Sequence, residues 1–351
     1  MIRERDFSPP LSPDNARLDV ISVCSESRGQ EGLGLPSSHF RMILQPGYPR
    51  FRNSGPPMNS KRTTQAVGAS PPVFLFGVDH SGTTILYRML AQHPGLTWFS
   101  QFSLRSGEVP GRPRWLGAGH LDRWLRVLYH DWRKEEPDFP RSLIPRPKDE
   151  GLIWNYLLQE PADIDRLRAC LVAFSCERGK KRFLAKLPAF RHHLGVLTAA
   201  FPQASFVHII RDGRAVALSL RDKHLALQAR DRPTPAGRRL SPEDALRWAA
   251  REWVDGLEAA VGAASLHLLE VRYEDLCRDV HGTLRTILRH CDLDIESFPF
   301  RRCPRDLSIR NGRWLENATN TELKQVFALQ GDLLRRYGYP PLVPGAVTDE
   351  S

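Results

Sequence analysis

Two short stretches of this chain hold residue types at spacings suited to binding anions. In the first, Gly77 opens a loop that runs into Ser81-Gly82-Thr83-Thr84 and then into a helical apolar pattern. Hydroxyl side chains and backbone amides at a helix start, where the helix dipole favours negative charge, could hold a phosphate-like group. The Gly77-to-Gly82 spacing is that of a phosphate-binding loop. The usual Lys-Ser/Thr pair is replaced by Thr83-Thr84, so the anion would be held without that lysine. In the second stretch, Arg211 follows the apolar run at 205–210 and Ser219 lies eight residues further on. The planar arginine fork suits bidentate phosphate recognition. Each stretch also has a plainer reading. The first could be an ordinary strand–helix turn with hydroxyl caps, and the second a surface arginine beside a structural Asp212.

Strand ends and helix starts must position such residues. Apolar runs predict strands at 73–77, 182–186, 205–210 and 266–271. Amphipathic patterns predict helices at 82–92, 163–176, 191–200, 215–225, 242–260, 280–291 and 322–336. His93-Pro94 stops the first of these helices, and Ser241 is a natural N-cap for the long one. Strands separated by helices imply an α/β fold: a mostly parallel sheet with helices on both faces and a P-loop-like site. In such a sheet, ligands bind outside the carboxyl ends of the strands. Residues 105–150 carry six prolines around a short helical segment at 121–132, and read as an irregular insertion over the site. No internal repeat is visible.

The sequence has 351 residues, 41% of them hydrophobic, and a formal net charge of +10. The basic excess suits a polyanionic ligand. No basic stripe is interleaved with aromatics, so nucleic acid is not the expected partner. No run approaches the ~18 apolar residues of a membrane helix, and the opening MIRERDFSPP lacks the apolar core of a secretory signal. The six cysteines form no CxxC pair, which argues against a zinc site and for reduced thiols in the cytoplasm. Residues 1–70 are rich in Pro, Gly, Ser, Arg and Asn and read as a disordered extension; 343–351 read as a tail. Translation starting at Met58 is a hypothesis suggested by its place just before the first strand. Intact-mass analysis of natively expressed protein tests it, and a full-length mass refutes it.

Taken together and in order, the two stretches resemble sulfotransferases that use 3′-phosphoadenosine-5′-phosphosulfate (PAPS). Ser81-Gly82-Thr83-Thr84 resembles that family's 5′-phosphosulfate loop, and Arg211 with Ser219 resembles its 3′-phosphate pair. Lys186-Leu187-Pro188 falls between them, where many members carry Lys-x-Pro. Residues 271–276, 311–314, 331–334 and 338–339 resemble later family segments, so the likeness covers roughly residues 71–340. It implies sulfuryl transfer from PAPS, as co-substrate, to an acceptor hydroxyl or amine, with no metal required. The arginines of the loops at 105–150 and 225–240 suggest an anionic or polyhydroxylated acceptor such as a carbohydrate, and small-metabolite, peptide and lipid acceptors stay open. It also implies a cytoplasmic enzyme, since the membrane anchor of many Golgi relatives is not visible here.

Departures from the family pattern sharpen the expectations. Many members carry Arg or Lys just before Ser-Gly-Thr-Thr, where this chain has Asp79-His80. His80 could act as a cation, a base or a spacer, and Lys186 is expected to supply the charge at the bridging oxygen. No carboxylate lies near Gln101, where some relatives carry a glutamate. Glu108 is then the nearest acidic candidate for the base, with His93 and His120 as alternatives. Arg310 is a further candidate for the 3′-phosphate. A nucleotide-dependent phosphotransferase shares the anion loop but would want a lysine at 83 and an acidic Mg²⁺ ligand at a strand end. A protein that binds the nucleotide without turning it over is the remaining alternative.

Overall fold

Val73–Phe76 is a wholly buried apolar run, and it forms strand β1 at the centre of a five-stranded sheet. The structure, a computed structural model, describes residues 71–99, 164–177, 179, 182–187, 194–261, 267–309, 311 and 318–340. After β1 come helix α1 (Thr83–Leu90), β2 (Leu96–Thr97), α2 (Ile164–Glu177), β3 (Arg182–Leu187), α3 (Leu194–Ala200) and β4 (Ser205–Ile210). The chain continues through α4 (Gly213–Gln228), α5 (Pro242–Val261), β5 (Leu268–Arg272), α6 (Tyr273–Arg278), α7 (Val280–His290) and α8 (Asn320–Arg336). The sheet order is β2-β3-β1-β4-β5, and every pairing is parallel. The expected α/β architecture is therefore present.

Alternation along β1 divides the core. Val73 and Leu75 pack with Leu86, Met89 and Leu90 of α1 and with Leu284 and Ile287 of α7. Phe74 and Phe76 face the other side, with Leu167 and Leu171 of α2 and Leu194 and Leu197 of α3. Helices thus cover both faces, as a parallel sheet requires. A third cluster gathers α4, α5 and α8 around Trp253, which has no exposed surface. Fully burying side chains of this size contributes about 1.5–3 kcal/mol each.

Several elements depart from the sequence-based expectation. The two-residue β2 was not expected; it is too short to show a periodicity, and only its register against Arg182 and Phe183 defines it. Helix α6 begins immediately after β5, where the sequence suggested only a strand-to-turn segment. Helix α4 starts at Gly213, two residues earlier than its apolar pattern suggests. Asp212 caps it by accepting from the Arg214 backbone N–H at 3.0 Å. Ser241 does cap α5, accepting from the Asp244 N–H at 3.1 Å. The expectations for residues 1–70, 105–150 and 343–351, including the start at Met58, lie outside the described residues.

Candidate active site

All strands being parallel, Phe76, Leu187, Ile210 and Arg272 end at one edge of the sheet, and the predicted anion-binding residues sit there. The chain leaves β1 at Gly77, where a Cβ would come 2.5 Å from the Ile209 carbonyl oxygen; only glycine lets the loop pass that close to β4. The loop closes with the Ser81 N–H donating to the Val78 carbonyl at 3.1 Å. Gly82, at φ 92, then turns the chain into α1. The Ser81 amide is thus engaged within the loop itself. The amides of Gly82, Thr83 and Thr84 stand at the helix start, where N–H groups lack intrahelical partners. Ser81 and Thr83 are buried, and Thr84 is exposed. Lys186, near the end of β3 and 6% exposed, donates from Nζ to Thr84 Oγ1 at 3.1 Å. The charge missing from the loop sequence is therefore present beside it in space, supplied by the neighbouring strand.

Arg211 and Ser219 converge on the same loop. Arg211 donates to the backbone carbonyl of His80 at 2.7 Å, and Ser219 Oγ lies 2.7 Å from His80 Nδ1. His80 adopts φ 70, in the left-handed region. Burial, Lys223 and Arg211 all push its imidazole below the usual histidine range, while Asp79 pulls the other way. Arg211 also donates through Nε to Asn311 Oδ1 at 2.9 Å, and its guanidinium lies 4.7 Å from the Tyr273 ring centroid. Its backbone carbonyl accepts from Trp253 Nε1 at 3.0 Å, which ties β4 to the α4–α5–α8 cluster.

Sequence reasoning missed the acid that organises this edge. Glu274 is 4% exposed at the start of α6. Its Oε1 accepts from the Asp212 backbone N–H at 3.1 Å and from Asn311 Nδ2 at 2.5 Å, and its Oε2 accepts from the Tyr339 hydroxyl at 2.9 Å. Arg211, Asn311 and Glu274 form one chain of hydrogen bonds across three chain segments. Glu274 stood within the family-like segment 271–276 without a role. Its position just past a strand's carboxyl end was the available signal.

Other candidates fare differently. His93 is at the far end of α1 from the loop, with Nε2 2.9 Å from the Asp294 carbonyl and Nδ1 accepting from the Gly95 N–H at 2.9 Å. It fixes the turn into β2, so it is not a base at this site. Glu108, His120 and Arg310 lie outside the described residues. Arg238 and Arg239 are exposed, and Arg239 pairs with Asp231 at 3.1 Å.

The model of the sulfotransferase family matches residues 71–297, well over half of the chain. The chain belongs to that family. This sulfotransferase is 26% identical over 313 residues to the omega-hydroxy-beta-dihydromenaquinone-9 sulfotransferase Stf3 of Mycobacterium bovis, covering 81% of this chain and 79% of the relative. It is 26% identical over 301 residues to the nodulation protein NoeE of Sinorhizobium fredii, covering 76% of this chain and 65% of that one. Among solved structures it resembles sulfotransferase STF9 of Mycobacterium avium (TM-score 0.53, 14% identity, 80% of each chain). It also resembles STF1 of Mycobacterium tuberculosis (TM-score 0.51, 20% identity, 77% of this chain and 79% of that one). At these identities the structural likeness concerns the fold. Among the described residues, no helix is long and apolar enough to cross a membrane.

Proposed function

We propose that the protein transfers a sulfuryl group from PAPS to an acceptor hydroxyl or amine. The observation that carries this reading is the convergence of two cationic side chains from different strands on one loop. Lys186 reaches Thr84, and Arg211 reaches the carbonyl of His80. A donor bearing a 5′-phosphosulfate and a separate 3′-phosphate needs two anion sites a nucleoside apart, whereas a nucleoside triphosphate needs one extended site. On this reading the Gly82, Thr83 and Thr84 amides, with the hydroxyls of Ser81, Thr83 and Thr84, hold the 5′-phosphosulfate. Arg211 and Ser219 hold the 3′-phosphate, with Arg310 joining them. As the S–O bond to the nucleotide breaks, negative charge grows on the bridging oxygen. Lys186 and the helix-start amides stabilise it as preorganised donors.

The acceptor's proton must pass to a base, and Glu108 is the group we assign to this. The acceptor is a hydroxyl- or amine-bearing molecule such as a carbohydrate or a small metabolite; the substrate named for the Stf3 relative carries an omega-hydroxy group. Free, buried Cys277 and Cys291 suit a reducing compartment, and we place the enzyme in the cytoplasm.

Calorimetric titration of the wild type and Arg211→Ala with adenosine 3′,5′-bisphosphate, AMP and ATP tests the donor site. The expected result is preference for the bisphosphate, reduced about 10- to 100-fold by the mutation, as loss of a charged phosphate contact implies. Equal or tighter binding of ATP, unaffected by Arg211→Ala, refutes the reading.

A further inference from the structure

His80 occupies the position that separates the two anion subsites, and its contacts place it in one of them. Its imidazole meets Ser219 at 2.7 Å and its carbonyl meets Arg211 at 2.7 Å, so both members of the 3′-phosphate pair are tied to this one residue. Lys186 meets the other end of the same loop, at Thr84. The backbone of His80 is held in the left-handed region at φ 70. That conformation is uncommon for a side chain other than glycine, though histidine is among those that tolerate it.

A serine hydroxyl has one proton to give. If Nδ1 of His80 carries no proton, the Ser219 hydroxyl donates to it and has none left for a ligand. If Nδ1 is protonated, it donates to Ser219 Oγ, and the hydroxyl proton is free to point at a bound anion. Resting on the donor-site reading above, we infer that His80 is a positioning residue for the 3′-phosphate. Its protonation turns the Ser219 hydroxyl toward that phosphate and adds a positive charge beside it, so the enzyme binds its donor more tightly as the medium becomes more acidic.

The charged groups around the imidazole are Asp79 on its own loop, Lys223 on α4 and Arg211 at the end of β4. Asp79 lies 3.7 Å from Lys223, so its charge is partly matched already. Burial and the two cations hold the imidazole neutral at pH 7 when no ligand is bound. A phosphate dianion arriving beside it favours the protonated form. The bound-state pKa is then above the free-state pKa, binding takes up a proton between the two, and affinity falls as pH rises through that window. The 3′-phosphate's own second ionisation, near ~6, acts in the opposite direction. It is common to all variants and cancels on comparing them.

The test is calorimetric titration of the full-length protein with adenosine 3′,5′-bisphosphate and with AMP, at pH 6, 7 and 8, in buffers of different ionisation heat. Wild type, His80→Gln, His80→Arg and Ser219→Ala are compared, with melting curves confirming that each is folded. In the wild type, the bisphosphate-over-AMP preference should fall by up to about tenfold per pH unit, the limit for one linked proton, with net proton uptake relative to His80→Gln. His80→Gln should bind weakly with no such slope. His80→Arg, with its fixed charge, should bind tightly and also lose the slope. Ser219→Ala should keep less of the slope than the wild type. A pH dependence of the preference that is the same in the wild type as in His80→Gln overturns the role of His80 while leaving the donor site standing. Absence of any bisphosphate preference at all three pH values overturns the donor site and His80's role with it.

Discussion

Lys186 is worth the most attention among the single side chains, because it replaces in space a cation absent from the loop sequence. It sits one residue before the end of β3, in register with Leu75 of β1, so its stem is packed in the sheet while Nζ reaches Thr84 Oγ1. A cation held by a strand, and mostly buried, is preorganised and loses little on meeting developing charge. Lys186→Met keeps the aliphatic stem and removes the charge. Sulfuryl transfer from PAPS should fall about 10²- to 10³-fold in kcat, the cost of removing one transition-state donor. Adenosine 3′,5′-bisphosphate should bind more weakly as well, because its 5′-phosphate keeps the bridging oxygen whose charge Lys186 stabilises, so the loss in kcat is read apart from the loss in product affinity. Single-turnover transfer beside a product titration separates the two. An unchanged kcat would remove Lys186 from the chemistry.

At the scale of elements, the side of the site that holds Arg211 is assembled by the first turn of α6. Glu274 joins the start of α4, through Asp212 N–H, to Asn311 and to Tyr339 beyond α8. Its carboxylate in turn holds the Tyr339 hydroxyl far above the usual tyrosine range, burial being the larger cause. Glu274→Ala leaves two buried donors and the half-buried Asn311 amide without their acceptor. It should lower the unfolding free energy by about 3 kcal/mol, roughly the cost of stranding buried partners of a charged group. It should also weaken bisphosphate binding about tenfold by loosening Asn311 and hence Arg211. Glu274→Gln, which keeps one acceptor and can reverse the bond to Tyr339, should recover most of both losses. Chemical unfolding and titration of the two variants check this, and wild-type stability and affinity in Glu274→Ala would show that the carboxylate organises nothing.

The same network marks what the sequence could and could not reveal. The places of Ser81 to Thr84, Lys186 and Arg211 were legible because each lies next to a strand end or helix start that periodicity locates, and Ser219, inside α4, by its eight-residue spacing from Arg211. The central strands were legible because burial on both faces leaves unbroken apolar runs. Glu274, Tyr273 and Asn311 were not, since their roles come from meeting residues 37 to 100 positions away, which no local pattern records. Nor does spacing show that the Tyr273 ring lies where a Cβ on Gly82 would strike it at 2.6 Å, pressing α6 against the loop between β1 and α1.

For the molecule as a whole, two histidines pull in opposite directions as pH falls. His80 favours donor binding in acid. His208, in the middle of β4 and with no exposed surface, opposes folding there. Its ring stacks on Phe76 at 4.8 Å, and Nδ1 lies 3.3 Å from Glu270 Oε1, so the neutral imidazole can donate to the carboxylate. Burial pushes its pKa below the ordinary histidine value, and that same hydrogen bond holds Glu270 below the carboxylate range. With the folded pKa depressed, the unfolded chain binds the extra proton first. Stability therefore falls as pH drops below about 6.5, by up to about 1.4 kcal/mol per pH unit for one proton. His208→Phe keeps a ring against Phe76 and removes this titration. Urea unfolding at pH 7.5, 6.5 and 5.5 should show a shallower acid loss in the variant, and an identical slope would acquit His208. The two effects bound transfer activity at low PAPS from both sides: His80 sets the fall toward alkaline pH, and His208 steepens the loss in acid. His80→Arg should flatten the first limb and His208→Phe extend the second. Because the residues sit on different elements with separate partners, the double variant should show both changes in sum.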